Sequence, residues 1–228
     1  MLTKPIPPWI LGGGALLASC AGCINAVGFL SAQHQAITHV TGTVSMLGVH
    51  LASGEGIQAI HTAAVFVSFF AGCVISGLII KHSALRSGYP YGTALVLESA
   101  LLVGAACLFN RGSAAGTYVA AMACGLQNAM ATTYSGAVIR TTHVTGIVTD
   151  LGIAIGQFAR REPVDRRRVG LYLVLLTGFF LGGIAGAAGF LILKYNVLFF
   201  PATITACAGI GYFIATHTSA RFRAPAQH

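Results

Sequence analysis

The segment Thr38-His39-Val40-Thr41-Gly42-Thr43-Val44-Ser45-Met46-Leu47-Gly48 returns 104 residues later as Thr142-His143-Val144-Thr145-Gly146-Ile147-Val148-Thr149-Asp150-Leu151-Gly152, with eight of eleven positions identical. Apolar patterning alone has no reason to repeat a histidine, a threonine and a glycine in order. Upstream, Gly22-Cys23-Ile24-Asn25-Ala26 lies over Gly125-Leu126-Gln127-Asn128-Ala129, with one residue inserted before the second motif. Downstream, Gly72 and Gly77 lie over Gly178 and Gly183. A period of about one hundred residues is half a domain rather than a solenoid repeat. The chain therefore reads as one membrane domain, 1–228, built from repeat 1 (9–110) and repeat 2 (112–217).

The solvent of this domain follows from its side chains. Hydrophobic residues make up 55% of the chain and charged residues 8%, far below the quarter typical of soluble domains, so the chain belongs in a lipid bilayer. The 29 glycines then point to helices packed backbone to backbone. An excess of 13 Lys and Arg over 5 Asp and Glu could suggest nucleic acid, but these charges sit between apolar spans and cluster at Arg160–Arg168, the pattern of cytoplasmic loops. No nucleic-acid partner is expected. The six cysteines lie inside apolar segments, where they pack as small side chains. Cys20 and Cys23 have CxxC spacing without further ligands, and Leu17-Ala18-Ser19-Cys20 imitates a lipoprotein cleavage box. Because its counterpart in repeat 2 cannot be a signal peptide, the first helix is expected to be retained.

Apolar spans are predicted at about 9–32, 59–80, 91–109, 114–134, 169–193 and 197–216, each long enough for a hydrocarbon core of roughly 30 Å. Two shorter pieces, 40–52 and 144–159, open at His-Val-Thr-Gly. If neither short piece crosses, Lys4, Lys81, Arg86, Arg140, the five arginines of 160–168, Arg221 and Arg223 share one side, against Arg111 and Lys194. Eight crossings would split the charges less cleanly, so the positive-inside rule favours six, with both termini cytoplasmic. Three crossings per repeat make the second copy enter from the opposite face. The expected fold is all-α, six transmembrane helices as a 3+3 inverted repeat, each half with a short non-spanning or broken helix.

A half-length helix inside a membrane leaves its first N–H groups unpartnered and its N-terminus partially positive. Thr41 and Thr145 are candidate caps. Gly42 and Gly146 permit close backbone approach, and the two helix starts are candidate binding points for an anion or a carbonyl oxygen. Capping and packing of buried half helices explain the same residues without a ligand. His39 and His143 precede the starts as linker anchors or proton-handling groups; two histidines alone make no metal site. Asn25, Gln127 and Asn128, on the spans leading into the motifs, serve either as interhelical glue or as solute contacts. Glu98, near the middle of the third span, carries a site hypothesis because a charge there costs about 2.5–3.5 kcal/mol. Asp150 replaces Met46 of the first copy and breaks the symmetry. Gly178, Gly182 and Gly186 form a small-residue face for packing within the chain or for a homo-oligomer.

With Gly22 to Leu30, His39-Val40-Thr41-Gly42, Cys124-Gly125-Leu126-Gln127-Asn128-Ala129 and Arg140-Thr141-Thr142-His143-Val144-Thr145-Gly146, the chain resembles the YoaK family of bacterial inner-membrane proteins, a group of unknown function. The resemblance implies a multi-pass cytoplasmic-membrane protein and supplies no substrate. The family pattern has Asp where Asn25 stands and Asn where Thr43 stands. Coupling through a first-span carboxylate is thereby weakened, leaving Glu98 or Asp150 to take that part.

The leading expectation is a small transporter of a polar or anionic solute, proton coupling included, with its site at the two half-helix starts. A channel is the near alternative. A membrane scaffold or sensor acting through the basic loop 160–168, which also suits anionic headgroups, is the alternative of another class. No nucleophile-base pair, metal spacing or cofactor motif stands out, so an enzyme, a cofactor and a bound metal are not expected.

Overall fold

A computed structural model describes residues 8–31, 34–80, 89–135 and 140–223. These residues form eight α-helices, with no strand among them: α1 (Pro8–Leu30), α2 (Val40–Ala52), α3 (Gly56–Ile79), α4 (Tyr89–Asn110), α5 (Ala115–Tyr134), α6 (Val144–Ala159), α7 (Arg166–Leu193) and α8 (Phe199–Arg223), with a 3₁₀ turn at Lys194–Leu198. Lys4, Lys81 and Arg86, used above for orientation, lie outside the described residues. The short helices have the expected bounds. Gly54 (φ 72°) and Gly112 (φ 71°) supply the left-handed backbone that lets α2 turn into α3 and α4 into α5. Asp165 caps α7, its carboxylate accepting from the Arg167 and Arg168 backbone N–H groups at 3.2 Å.

Four stretches are long and apolar enough to cross a membrane: Trp9–Leu30, Gly56–Ile79, Tyr89–Asn110, and Arg166–His217, which joins α7 and α8. Their outward faces carry large apolar side chains; Ile57, Leu78 and Ile192 are 72%, 73% and 82% exposed, which suits lipid rather than water. The expected span 114–134 is not in that set. Its helix, α5, packs against α3, α4 and α1, and a helix screened from lipid by protein can carry Gln127, Asn128, Thr132 and Thr133.

Contacts fix the direction of each long helix. Ala15 meets Gly178, Ser19 meets Gly182 and Cys23 meets Gly186, so α1 and α7 run parallel. His61 is hydrogen-bonded to Tyr118, and Gly72 lies against Met122 and Leu126, so α3 and α5 also run parallel. Leu17 meets Gln127 while Trp9 meets Tyr134, which opposes α1 to α5. Tyr91 packs on Tyr134 at 4.9 Å between ring centroids and Phe109 on Gly116, opposing α4 to α5. Gly92 meets Gly209 and Asn110 donates to Asn196 at 2.7 Å, opposing α8 to α4. The six long helices thus alternate in direction along the chain.

Two helix pairs cross in the same way. A Cβ built on Gly22 would fall on the Phe179 carbonyl oxygen and one on Gly182 on that of Ser19. Likewise, a Cβ on Gly125 would fall on the Phe69 carbonyl oxygen and one on Gly72 on that of Met122. Packing therefore matches Gly72 with Gly182, through Phe69-Phe70-Ala71-Gly72 and Phe179-Phe180-Leu181-Gly182, and corrects the sequence pairing of Gly72 and Gly77 with Gly178 and Gly183. The register moves because α6 has 16 residues where α2 has 13, and the turn 160–165 is longer than the turn 53–55. The face of Gly178, Gly182 and Gly186 packs on α1 of the same chain.

Candidate functional site

Both short helices start alike, and not as expected. The N-cap residues are His39 and His143, and neither makes a side-chain capping bond. Thr41 and Thr145 sit at the second helical position, because each helix begins at the preceding valine. The first backbone N–H to close an intrahelical bond is that of Thr43 to the His39 carbonyl, and that of Ile147 to the His143 carbonyl. The earlier N–H groups of each start are left for other acceptors. The glycines have a specific task. A Cβ on Gly42 would stand 2.6 Å from His39 Nδ1, and one on Gly146 would fall on His143 Nε2. Each imidazole folds back over its own first turn, into space only a glycine leaves free.

The two starts face one cavity of about 580 Å³. His39 and Thr41 line it from one side, His143 and Thr145 from the other, and α5 supplies Asn128, Thr132 and Thr133. Arg140 completes the wall, and no carboxylate is among the described lining residues. Thr132 and Thr133 donate to the Asn128 and Ala129 carbonyls at 2.7 and 2.9 Å, which leaves their oxygens as acceptors toward the cavity. Asn128 Oδ1 is buried without a partner. Beside these acceptors, Arg140 and the unbonded N–H groups of the two helix starts offer cationic and donor chemistry for an anion or a polar oxygen.

Two further cavities flank this one. A cavity of about 640 Å³ lies between the C-terminal end of α1, α2 and the start of α3, lined by His34, His39, His50 and His61 with Gly42 and Thr43. His50 Nδ1 bonds Thr62 Oγ1 at 3.1 Å, and His50 Nε2 stands 3.8 Å from Glu55. Among the described residues no group of three His, Cys, Asp or Glu is placed to hold a metal ion. On the other side a cavity of about 150 Å³ is lined by Arg140, His143, Gly146, Asp150, Arg168 and Tyr172. Tyr172 lies within reach of both Asp150 and Arg168. Since α7 is parallel to α1, this cavity is at the opposite end of the bundle from the histidine-lined one.

Of the residues singled out in the sequence, the central cavity brings together His39, Thr41, Asn128, His143 and Thr145. Gly42 belongs to the histidine-lined flank, Gly146 and Asp150 to the arginine-lined flank. Three lie elsewhere. Asn25 Oδ1 accepts from the Thr38 backbone N–H at 3.1 Å and ties the linker down. Gln127 Nε2 donates to the Leu17 carbonyl at 2.6 Å. Glu98 is fully buried with neither carboxylate oxygen partnered; it lies close enough to Cys20 and Cys124 to act on their charge and lines none of the three cavities. Thr132, Thr133 and the flanking His34, His50 and His61 escaped the sequence, having no equivalent in the repeated motif. The spacing of Thr132 and Thr133 one helical turn beyond Asn128 and Ala129 was their available signal.

A family model described as "Protein of unknown function (DUF1275)" matches residues 13–211. The chain belongs to that family. Within the DUF1275 family frame, the UPF0700 transmembrane protein YoaK of Bacillus subtilis (strain 168) is 27% identical over 96 residues, which is 41% of this chain. The matched stretch spans 42% of that relative's length. No solved structure shows significant similarity to this chain. The DUF1275 match covers both short helices and all three cavities, and with the apolar helices it makes this a multi-pass membrane protein.

Proposed function

We propose that this protein is a six-span transporter of a small polar or anionic solute, folded as a 3+3 inverted repeat, with its solute site in the cavity between the two His-Val-Thr-Gly starts. The observation that carries the reading is the meeting of these starts: segments 104 residues apart line one cavity with His39, Thr41, His143 and Thr145. Opposed directions of α1 and α5, the first helix of each repeat, support the inversion. Half helices meeting inside a bundle of inverted repeats are the pattern of secondary transporters. The cationic lining supports an anionic solute. Six crossings also leave both termini on the arginine-rich face, the cytoplasmic side of a bacterial inner membrane.

Proton coupling takes a narrower form. Glu98 lines none of the three cavities, and its part is in helix packing; Asp150 is the carboxylate on the route itself. A thermal-shift panel of acetate, lactate and inorganic phosphate, with acetamide and glycerol as neutral controls, tests the site. At least one anion should stabilise the protein, and Arg140→Ala or Thr145→Ala should abolish that shift. Stabilisation that survives both changes sinks the proposed pocket. Counterflow of that anion in proteoliposomes separates carrier from channel. A function lost on neutralising the arginines of 160–168, with anion binding intact, would move the protein to the scaffold class.

A further inference from the structure

The geometry points to His39 and His143 as the two gates of one route through the bundle, each held shut by the glycine three residues after it. The inference deepens the transport reading above and rests on it only in treating the cavities as a solute route. His39 lines both the histidine-lined flank and the central cavity. His143 lines both the central cavity and the arginine-lined flank. The three cavities therefore stand in series from one end of the bundle to the other, and each partition between neighbours contains one imidazole of the duplicated motif.

The closed position of each ring has a specific cause. Over Gly42 and Gly146 the rings occupy the space of the missing Cβ, and no side-chain capping bond holds them. A methyl group placed there meets the movable end of a side chain rather than backbone, so the ring swings away while the helix start keeps its course. The short helices are themselves lightly seated: Thr43 is the one described residue of α2 that is buried, and Ile147 the one of α6. Elements with so few buried contacts are those that move at low cost. Opening one gate at a time would expose the central cavity alternately to the two faces, as inverted repeats do around a fixed site.

Cysteine accessibility tests this directly. In the full-length chain with its native cysteines replaced by alanine, Thr132→Cys reports on the central cavity through labelling by a membrane-impermeant methanethiosulfonate. Labelling follows the fraction of molecules with a gate open, so raising that fraction from about 1% to about 10% raises the rate about tenfold. Gly42→Ala should give that rise only from the face where α1 ends, and Gly146→Ala only from the face where α1 begins. His39→Ala and His143→Ala should repeat the pattern by removing the rings, which keeps the test decisive should a glycine variant fail to fold. Unchanged labelling in the folded ring-removal variants overturns the gates. Rises from a single face for both copies uphold the gates and overturn the inversion. Face-specific rises, together with no anion flux in proteoliposomes of the protein without these substitutions, uphold the gates and overturn transport.

Discussion

Repeat 1 and repeat 2 share a helix start and a glycine-on-carbonyl crossing, yet the two copies sit in different surroundings. In repeat 1 the linker is tied to its span by the bond from the Thr38 N–H to Asn25, and α2 packs along α3. In repeat 2 the matching Asn128 Oδ1 has no partner among the described residues, and α6 touches α7 far less. Farther out, α4 lies along α5, while α8 touches α1 only sparingly, and apolar cavities of about 210 and 350 Å³ fill that gap. Both copies keep the glycine-on-carbonyl crossing and the imidazole folded over its glycine; the linker bond and the packing of the outer helices differ.

That contrast can be broken most decisively by sidedness. Cysteines introduced as Gly54→Cys and Pro163→Cys should label from opposite faces of the membrane in an all-or-none manner; labelling from one face would leave the repeats parallel. Next in size come the crossings. Gly182→Ala and Gly72→Ala drive a methyl group into a backbone carbonyl in each copy and should each destabilise by about 1–3 kcal/mol, read as lowered thermal unfolding in detergent. Gly77→Ala, which meets nothing within 4 Å, should stay within about 0.5 kcal/mol. A large loss at Gly72 with none at Gly182 would mean that only one crossing is structural.

A smaller and sharper effect separates the linkers. Asn25→Ala leaves the Thr38 N–H without its acceptor and should cost about 1 kcal/mol or more, whereas Asn128→Ala breaks no bond and should cost clearly less. Equal losses would show that the asymmetry between the linkers is not present in the membrane. Smallest is the change at Glu98, whose oxygens lack partners: Glu98→Gln keeps the shape, removes the ionisable group, and should alter stability by under about 1 kcal/mol. A loss several times larger would reveal a partner for the carboxyl that the apolar surroundings do not supply.

Much of the architecture was readable from residue order. The bounds of α2 and α6 followed from the motif and from the length of each apolar run, because helix length and hydropathy are local properties. His39, Thr41, His143 and Thr145 could be singled out because duplication marks residues that generic apolar packing would let drift, and they line one cavity. Glu98 was not placed by its sequence: a lone carboxylate in an apolar span signals cost, and the cost is the same whether the group faces a cavity or a neighbouring helix; it lines none of the three cavities. The expected span 114–134 makes the converse point: its helix α5 packs against α1, α3 and α4 and is not among the four long apolar stretches.

By itself, then, the order of residues determined the lipid setting, the twofold duplication and the short helices, all of which rest on composition and spacing within a few turns. Helix direction and rotation were decided only in three dimensions, and they set which glycine meets which carbonyl and which side chains share a cavity. Only there do His39 and His143 come to line one cavity together. No local pattern encodes that placement, because it depends on where helices a hundred residues apart come to rest against one another.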